Sequence, residues 1–184
     1  MESVITQTLR QRFATRAIKR DALPEEIVDD LIEAARLTPS CFNNQPWRFL
    51  FVTGDAAHAE ASDAFSGGNK PWASHAPLLI VGYSREADDC VLKDGRVYHQ
   101  FDLGMATMNI MLAATAHGLA ARPMAGFDPE KIKAAFNLAE DERPLVMVAV
   151  GYPSDDTDHL PEHVKTKHLT PRERKPTEEI VRRL

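Results

Sequence analysis

Between two hydrophobic segments lies Thr38-Pro39-Ser40-Cys41-Phe42-Asn43-Asn44-Gln45-Pro46-Trp47-Arg48-Phe49, a run of turn formers, hydroxyls and amides. Polar groups this dense at a helix-to-strand joint can be held by a rigid scaffold against a small molecule. The competing reading is a loop whose Asn and Ser side chains bond only their own backbone. Arginines offer a second kind of chemistry: Arg12 and Arg16 stand near the start of the chain, Arg172 and Arg174 near its end. Guanidinium groups pair with phosphate in bidentate fashion, so converging arginines would make a phosphomonoester site. Taken separately, each pair is ordinary solvated surface. Glycines occur only at 54, 67, 68, 82, 95, 104, 118, 126 and 151, which forms neither G-x-G-x-x-G nor G-x-x-x-x-G-K-[ST]. A dinucleotide fold or P-loop is thereby disfavoured, and any bound phosphate must be gripped by side chains.

These groups need elements to hold them. Val4 to Arg12 reads as a short helix, and Pro24 to Leu37 as an amphipathic one with Ile27, Val28, Leu31, Ile32 and Ala35 on one face. Arg48 to Thr53 reads as a strand, and Asp55 to Phe65 as a helix stopped by Gly67-Gly68. The apolar runs Ala76 to Ser84 and Leu145 to Val150 have the pattern of strands covered on both faces. A long helix is expected from about Val97 to His117, closed by Gly118, and a short one from Asp128 to Phe136 with Asp128 as its cap. Residues Ser154 to Lys175 show no sustained period, and Thr177 to Leu184 is weakly helical. Three strands among five or six helices suggest an α+β or α/β sheet flanked by helices.

A chain of 184 residues suits one domain burying roughly 70% of its unfolded surface. Net charge of -5 argues against a nucleic-acid partner. The apolar stretch Leu103 to Ala121 carries Asn109 and His117 and fits a buried helix better than a membrane span, and Met1 to Arg16 lacks the apolar core of a secretory signal. With only Cys41 and Cys90, no disulfide framework is expected and a reducing cytoplasm is the natural compartment. No zinc spacing is present: His159, His163 and His168 read as solvated loop residues, and Asp88-Asp89 as a solvated turn.

Taken in order, six blocks are similar to the FMN-dependent nitroreductase family over nearly the whole chain. Arg12-Phe13-Ala14-Thr15-Arg16 resembles the family's Arg-Arg/His-Ser-x-Arg/Lys signature, and Leu23-Pro24-Glu25-Glu26, Glu33 to Ser40 and Asn43 to Phe49 resemble its most diagnostic block. Asn69-Lys70-Pro71-Trp72 with Ala76-Pro77, Asp102-Leu103-Gly104 with Asn109 and Gly118-Leu119, Ala125-Gly126-Phe127-Asp128, and Arg172 to Pro176 complete the match.

The resemblance implies an α+β, three-layer fold: a central, mostly antiparallel sheet flanked by helices, in an intertwined homodimer with FMN at the interface. Residues 1–153 would form the FMN-binding core, and 154–184 an extension wrapping the partner. It also implies Arg12, Arg16, Arg172 and Arg174 near the phosphate and ribityl chain, with Arg16 extending toward the pyrimidine. Phe13 and Ala14, where the family often has polar residues, would give backbone or apolar contact. Pro39, Ser40, Cys41 and Asn43 would come from the opposite subunit, Asn69 would bond the pyrimidine edge, and an Ala125 or Gly126 N–H would face N5. Hydride would pass from NADH or NADPH to a nitroaromatic, a quinone or a related small-molecule acceptor by a ping-pong cycle, the flavin doing the chemistry with no separate catalytic side chain or metal. Dehalogenation or oxygen-dependent chemistry, or flavin binding with little turnover, are the rivals. Cys41 reads as structural or flavin-packing rather than nucleophilic. Phe42, Trp72 and Tyr98 could cover the flavin, or sit in the core.

Overall fold

Four segments rich in apolar residues become strands: β1 (Trp47–Val52), β2 (Leu78–Ser84), β3 (Ala120–Met124) and β4 (Arg143–Gly151). In the computed structural model, which describes residues 2–158, 160–169 and 173–184, they form one sheet in the order β1-β2-β4-β3, antiparallel at every pairing. Leu78 lies opposite Val150, Trp47 opposite Ser84 and Met124 opposite Met147.

Successive side chains of a strand point to opposite faces, so a continuously apolar strand needs cover on both. Leu78, Ile80, Val148 and Val150 pack against Leu31 and Ala35 of α2 (Glu25–Arg36) and Ile110, Met111 and Ala114 of α5 (His99–Ala116). On the other face, Leu79, Val81, Met147 and Ala149 meet α3 (Asp55–Asp63), α4 (Lys70–Ala73) and α6 (Pro129–Phe136) through Ala61, Trp72 and Ile132. The expected three-layer α+β arrangement around an antiparallel sheet is therefore what the chain forms. Asp128 caps α6 as expected, its Oδ1 accepting from the N–H groups of Glu130 (3.0 Å) and Lys131 (3.2 Å). Gly118 ends the turn after α5 at φ 71°, a backbone shape that favours glycine.

Two expectations are corrected. β3 was not among the three strands read from the sequence, because Ala120-Ala121-Arg122-Pro123-Met124 is short and carries a cation and a proline. It lies at the sheet edge, where a missing proline N–H costs no ladder bond. Nor is 154–175 patternless: α7 (Glu162–Leu169) forms there, and Leu160 and Val164, each 3% exposed, join the main core. Beyond it α8 (Thr177–Ile180) is exposed, as is everything from residue 173 onward.

The arginine-bearing segment before α2 is fastened to the end of β4. Ile18 bridges Pro153, Lys19 N–H donates to the Tyr152 carbonyl at 2.9 Å, and Ser154 N–H to that of Ala17 at 3.0 Å. A Cβ added at Gly151 would stand 2.6 Å from Ile18 Cγ2, so glycine permits this close crossing.

Candidate functional site

The first group of expected residues gathers beside β3. α1 (Val4–Gln11) ends at Arg12, which is half-buried and shares a cavity of about 410 Å³ with Arg10, Met108, Met111, Pro123 and Arg174. Arginines 162 residues apart in sequence thus face one space, as a phosphate grip requires. Arg172 lies outside the described residues. Phe13 is 46% exposed, and the Ala14 carbonyl accepts from Arg122 Nη1.

Arg16 leads to a second cluster. Its guanidinium carbon stands 5.9 Å from the centroid of the Trp72 ring, and that of Arg122 stands 5.3 Å from the same ring. Burial lowers both arginines from their ordinary pKa, and Arg122, with the like charge of Arg16 beside it, falls to about 10. Trp72 is fully buried, its Nε1–H donating to the Gly68 carbonyl at 3.2 Å, so it supports these cations from below and does not present a face to a flavin. Asn69, at the head of α4, donates from Nδ2 to the Gly126 carbonyl at 2.9 Å, and Ser66 N–H bonds the same oxygen at 3.0 Å. A Cβ at Gly126 would come within 2.7 Å of both Asn69 Nδ2 and Ser66 Oγ, so the glycine keeps this corner tight. Ala125 is exposed, and among the described residues neither it nor Gly126 gives its N–H to a loop carbonyl. Lys70 is directed elsewhere, its Nζ 2.8 Å from Asp63.

The third group, Pro39, Ser40, Cys41 and Asn43, is held apart from the other two on the α2–β1 joint. Pro39, Ser40 and Cys41 line a pocket of about 420 Å³ with Phe42, Tyr98, Phe101 and Asp102. The loop is built from α5: Asp102 Oδ2 accepts from Cys41 N–H at 2.7 Å, and Asn109 Nδ2 donates to Thr38 Oγ1 at 2.7 Å. Ser40 Oγ accepts from Gln45 N–H at 2.9 Å. Phe42, Asn43 and Gln45 have φ of 49°, 59° and 52°, each a departure of order 1–3 kcal/mol that the surrounding bonds must hold. Phe42, 82% exposed, projects outward from this loop, while Asn43 is also exposed and its carbonyl accepts from Gln45 Nε2 at 2.9 Å.

Sequence reasoning missed three features here. Cys41 and Cys90 form a disulfide with Cα atoms 6.2 Å apart, where two unpaired thiols were expected. No pairing signal existed, because the residues are 49 positions apart and only the packing of the Cys41 loop on the segment before α5 brings them together. Asp89 is no solvated turn: it receives the Cys90 N–H at 2.8 Å and Asn44 Nδ2 at 3.3 Å, and its Oδ2 is buried without a hydrogen-bond partner among the described residues. Asp102 is almost fully buried; burial pushes its carboxyl above the usual range, the Cys41 N–H draws it part of the way back, and Asp89 adds to the rise. The third feature is Arg122, hidden within the unrecognised strand.

Comparison with known proteins agrees with this fold. The profile of the nitroreductase family matches residues 9–71 and 56–152. A Thermus thermophilus NADH dehydrogenase is 27% identical, aligned over 82% of this chain and 87% of its own. An iodotyrosine deiodinase of Haliscomenobacter hydrossis is also 27% identical, over 81% of this chain and 79% of its own. Among solved structures, a nitroreductase of Exiguobacterium sibiricum in complex with FMN superposes with a TM-score of 0.80 at 19% identity, covering 100% of this chain and 99% of that one. Among the described residues, no helix is long and apolar enough to cross a membrane.

Proposed function

The chain belongs to the nitroreductase family, and from that premise we propose that it is an FMN-dependent oxidoreductase taking hydride from NADH or NADPH and delivering it to a nitroaromatic, a quinone or a related electrophile. The observation that carries this reading is a pair of cationic groups at the β3 edge: Arg12 and Arg174 share a cavity with Pro123, and Arg16 and Arg122 share the Trp72 ring. The donor set fits the cofactor: a grip for one terminal phosphate, amide and backbone groups for a pyrimidine edge, and no glycine-rich cradle for a pyrophosphate. NADH dehydrogenase and FMN-bound relatives support the cofactor pair.

When bound, FMN supplies the hydride chemistry, and the residues of this chain hold it, orient it and tune it. Arg12 and Arg174 would bind its phosphate. Phe13 and Ala14 would contribute apolar and backbone contact, Asn69 would bond the pyrimidine, and the Ala125–Gly126 backbone would offer an N–H to the ring. A single open face would serve donor and acceptor in turn, the condition for ping-pong turnover. The pocket beside Phe42, Tyr98 and Phe101 suits a planar acceptor.

The site is completed by a homodimer in this reading. Pro39, Ser40, Cys41 and Asn43 stand apart from the arginines within one chain, so a second copy brings them to the cofactor. Val4 and Ile5 of α1 are 75% and 61% exposed, an apolar stripe without cover in the monomer. Similarity to a deiodinase favours reductive dehalogenation as the second reading. Both rest on the flavin, so reconstitution with FMN followed by NADH and NADPH oxidation, with a quinone, a nitroaromatic and an iodophenol offered separately, decides between them. A protein that binds no FMN overturns the proposal.

A further inference from the structure

Two guanidinium groups share the Trp72 ring, at 5.9 Å for Arg16 and 5.3 Å for Arg122. Like charges this close, each half-buried, raise the free energy of the folded chain unless something of opposite sign offsets them. The indole recovers part of that cost by cation–π attraction. No carboxylate completes the offset: among the described residues neither arginine has an ion-pair partner, and the lowered pKa of Arg16 traces to burial alone, that of Arg122 to burial and then to Arg16. Arg122 is held in place by its bond to the Ala14 carbonyl, and Trp72 by its bond to Gly68, so one charge and the ring that both cations share are fixed before any ligand arrives.

On the flavin reading above, we propose that Arg122 joins Arg16 in a dicationic clamp on the N1–C2=O edge of FMN, favouring the reduced cofactor over the oxidised one. The pyrimidine edge is the part that gains negative charge on reduction, whereas the phosphate carries the same charge in both states. Arg12 and Arg174 already face a separate cavity suited to the phosphate. The clamp is carried instead by the elements that lead to Asn69 and Gly126: Asn69 caps α4, which holds Trp72, and Gly126 lies two residues beyond β3, which holds Arg122.

Two substitutions separate charge from anchoring. Arg122→Gln keeps an N–H for the Ala14 carbonyl and removes the charge, while Arg122→Lys keeps the charge. The expected result is a midpoint potential of bound FMN more negative by about 30 mV in Arg122→Gln, equivalent to a tenfold loss in the preference for the reduced form. Sulfite, whose addition to flavin leaves negative charge on the pyrimidine, should bind that variant about tenfold more weakly. Arg122→Lys should retain both values. An unchanged potential and sulfite affinity in Arg122→Gln overturns the clamp. So does an equal loss of affinity for oxidised and reduced FMN, which is the signature of phosphate binding, or an equal shift in both variants, which assigns the effect to the Ala14 bond. Failure of the wild type to bind FMN overturns the flavin reading itself.

Discussion

Arg12 and Arg174 illustrate how folding gives single residues a common neighbourhood that spacing alone cannot show. Each is a commonplace surface residue in sequence, yet the two face one cavity. Replacing either with Ala should weaken FMN by about 1.5–3 kcal/mol, the worth of a charge-assisted bond. Titration by fluorescence quenching measures this, and unchanged affinity in both variants would return them to solvated surface. Asp102 makes a different prediction, one of pH. Its folded-state pKa is raised, so the native chain binds the proton more tightly than the unfolded one does. The associated stability is present below the unfolded value near ~3.9 and is lost as pH rises through the folded value. Asp102→Asn keeps an acceptor for the Cys41 N–H and cannot ionise, so urea melts should show the wild type losing stability relative to this variant as pH rises from about 4. Parallel pH profiles would dissociate Asp102 from that titration. That Asn69 and Gly126 matter to local shape was legible in sequence, and the structure joins them by a hydrogen bond. Arg122 was not, since a cation inside a short, proline-broken run carries no strand signal until β4 pairs with it.

Among the elements, those with a strong period were read closely. β2 and β4 are apolar at successive positions because helices cover both faces, and α6 begins where Asp128 and Pro129 predict. The Cys41 loop was legible as a polar helix-to-strand joint, but its shape depends on contacts from α5 that sequence separation conceals. Its disulfide to Cys90 ties the loop to the segment leading into α5 across 49 positions. Closing a loop of that size restricts the unfolded chain, so Cys41→Ser should cost about 2–4 kcal/mol in the oxidised protein. Amide exchange should quicken at residues 40–45, where three positive φ angles are maintained against their own preference. Dithiothreitol should reproduce the loss in the wild type and leave Cys41→Ser unmoved. A wild-type melt indifferent to reduction would show that the bond adds nothing to the fold.

At the scale of the whole molecule, the described C-terminal region divides into a part packed on its own chain and a part that is exposed. Leu160 and Val164 are core residues of their own chain, so 154–184 cannot be a free arm throughout. The sequence concealed this because Leu160 and Val164, two apolar positions in a polar stretch, are too sparse to mark an amphipathic face. The part from 173 onward remains exposed, and within it Ile180, Val181 and Leu184 are 69%, 51% and 107% exposed. An apolar side chain contributes roughly 1.5–3 kcal/mol when fully buried, and a two-fold axis would repeat each burial on the second copy. We therefore expect removal of residues 177–184 to weaken the dimer by at least tenfold in dissociation constant, with Arg174 still present. FMN affinity should fall in step at protein concentrations where the dimer dissociates, and recover when concentration is raised, because ligand and partner bind the same assembled state. Sedimentation velocity over a concentration series, paired with FMN titration at each point, measures both. A truncated chain with wild-type dimer strength would leave the arm without a structural role, and one that loses FMN at every concentration would place residues 177–184 in the cofactor site itself.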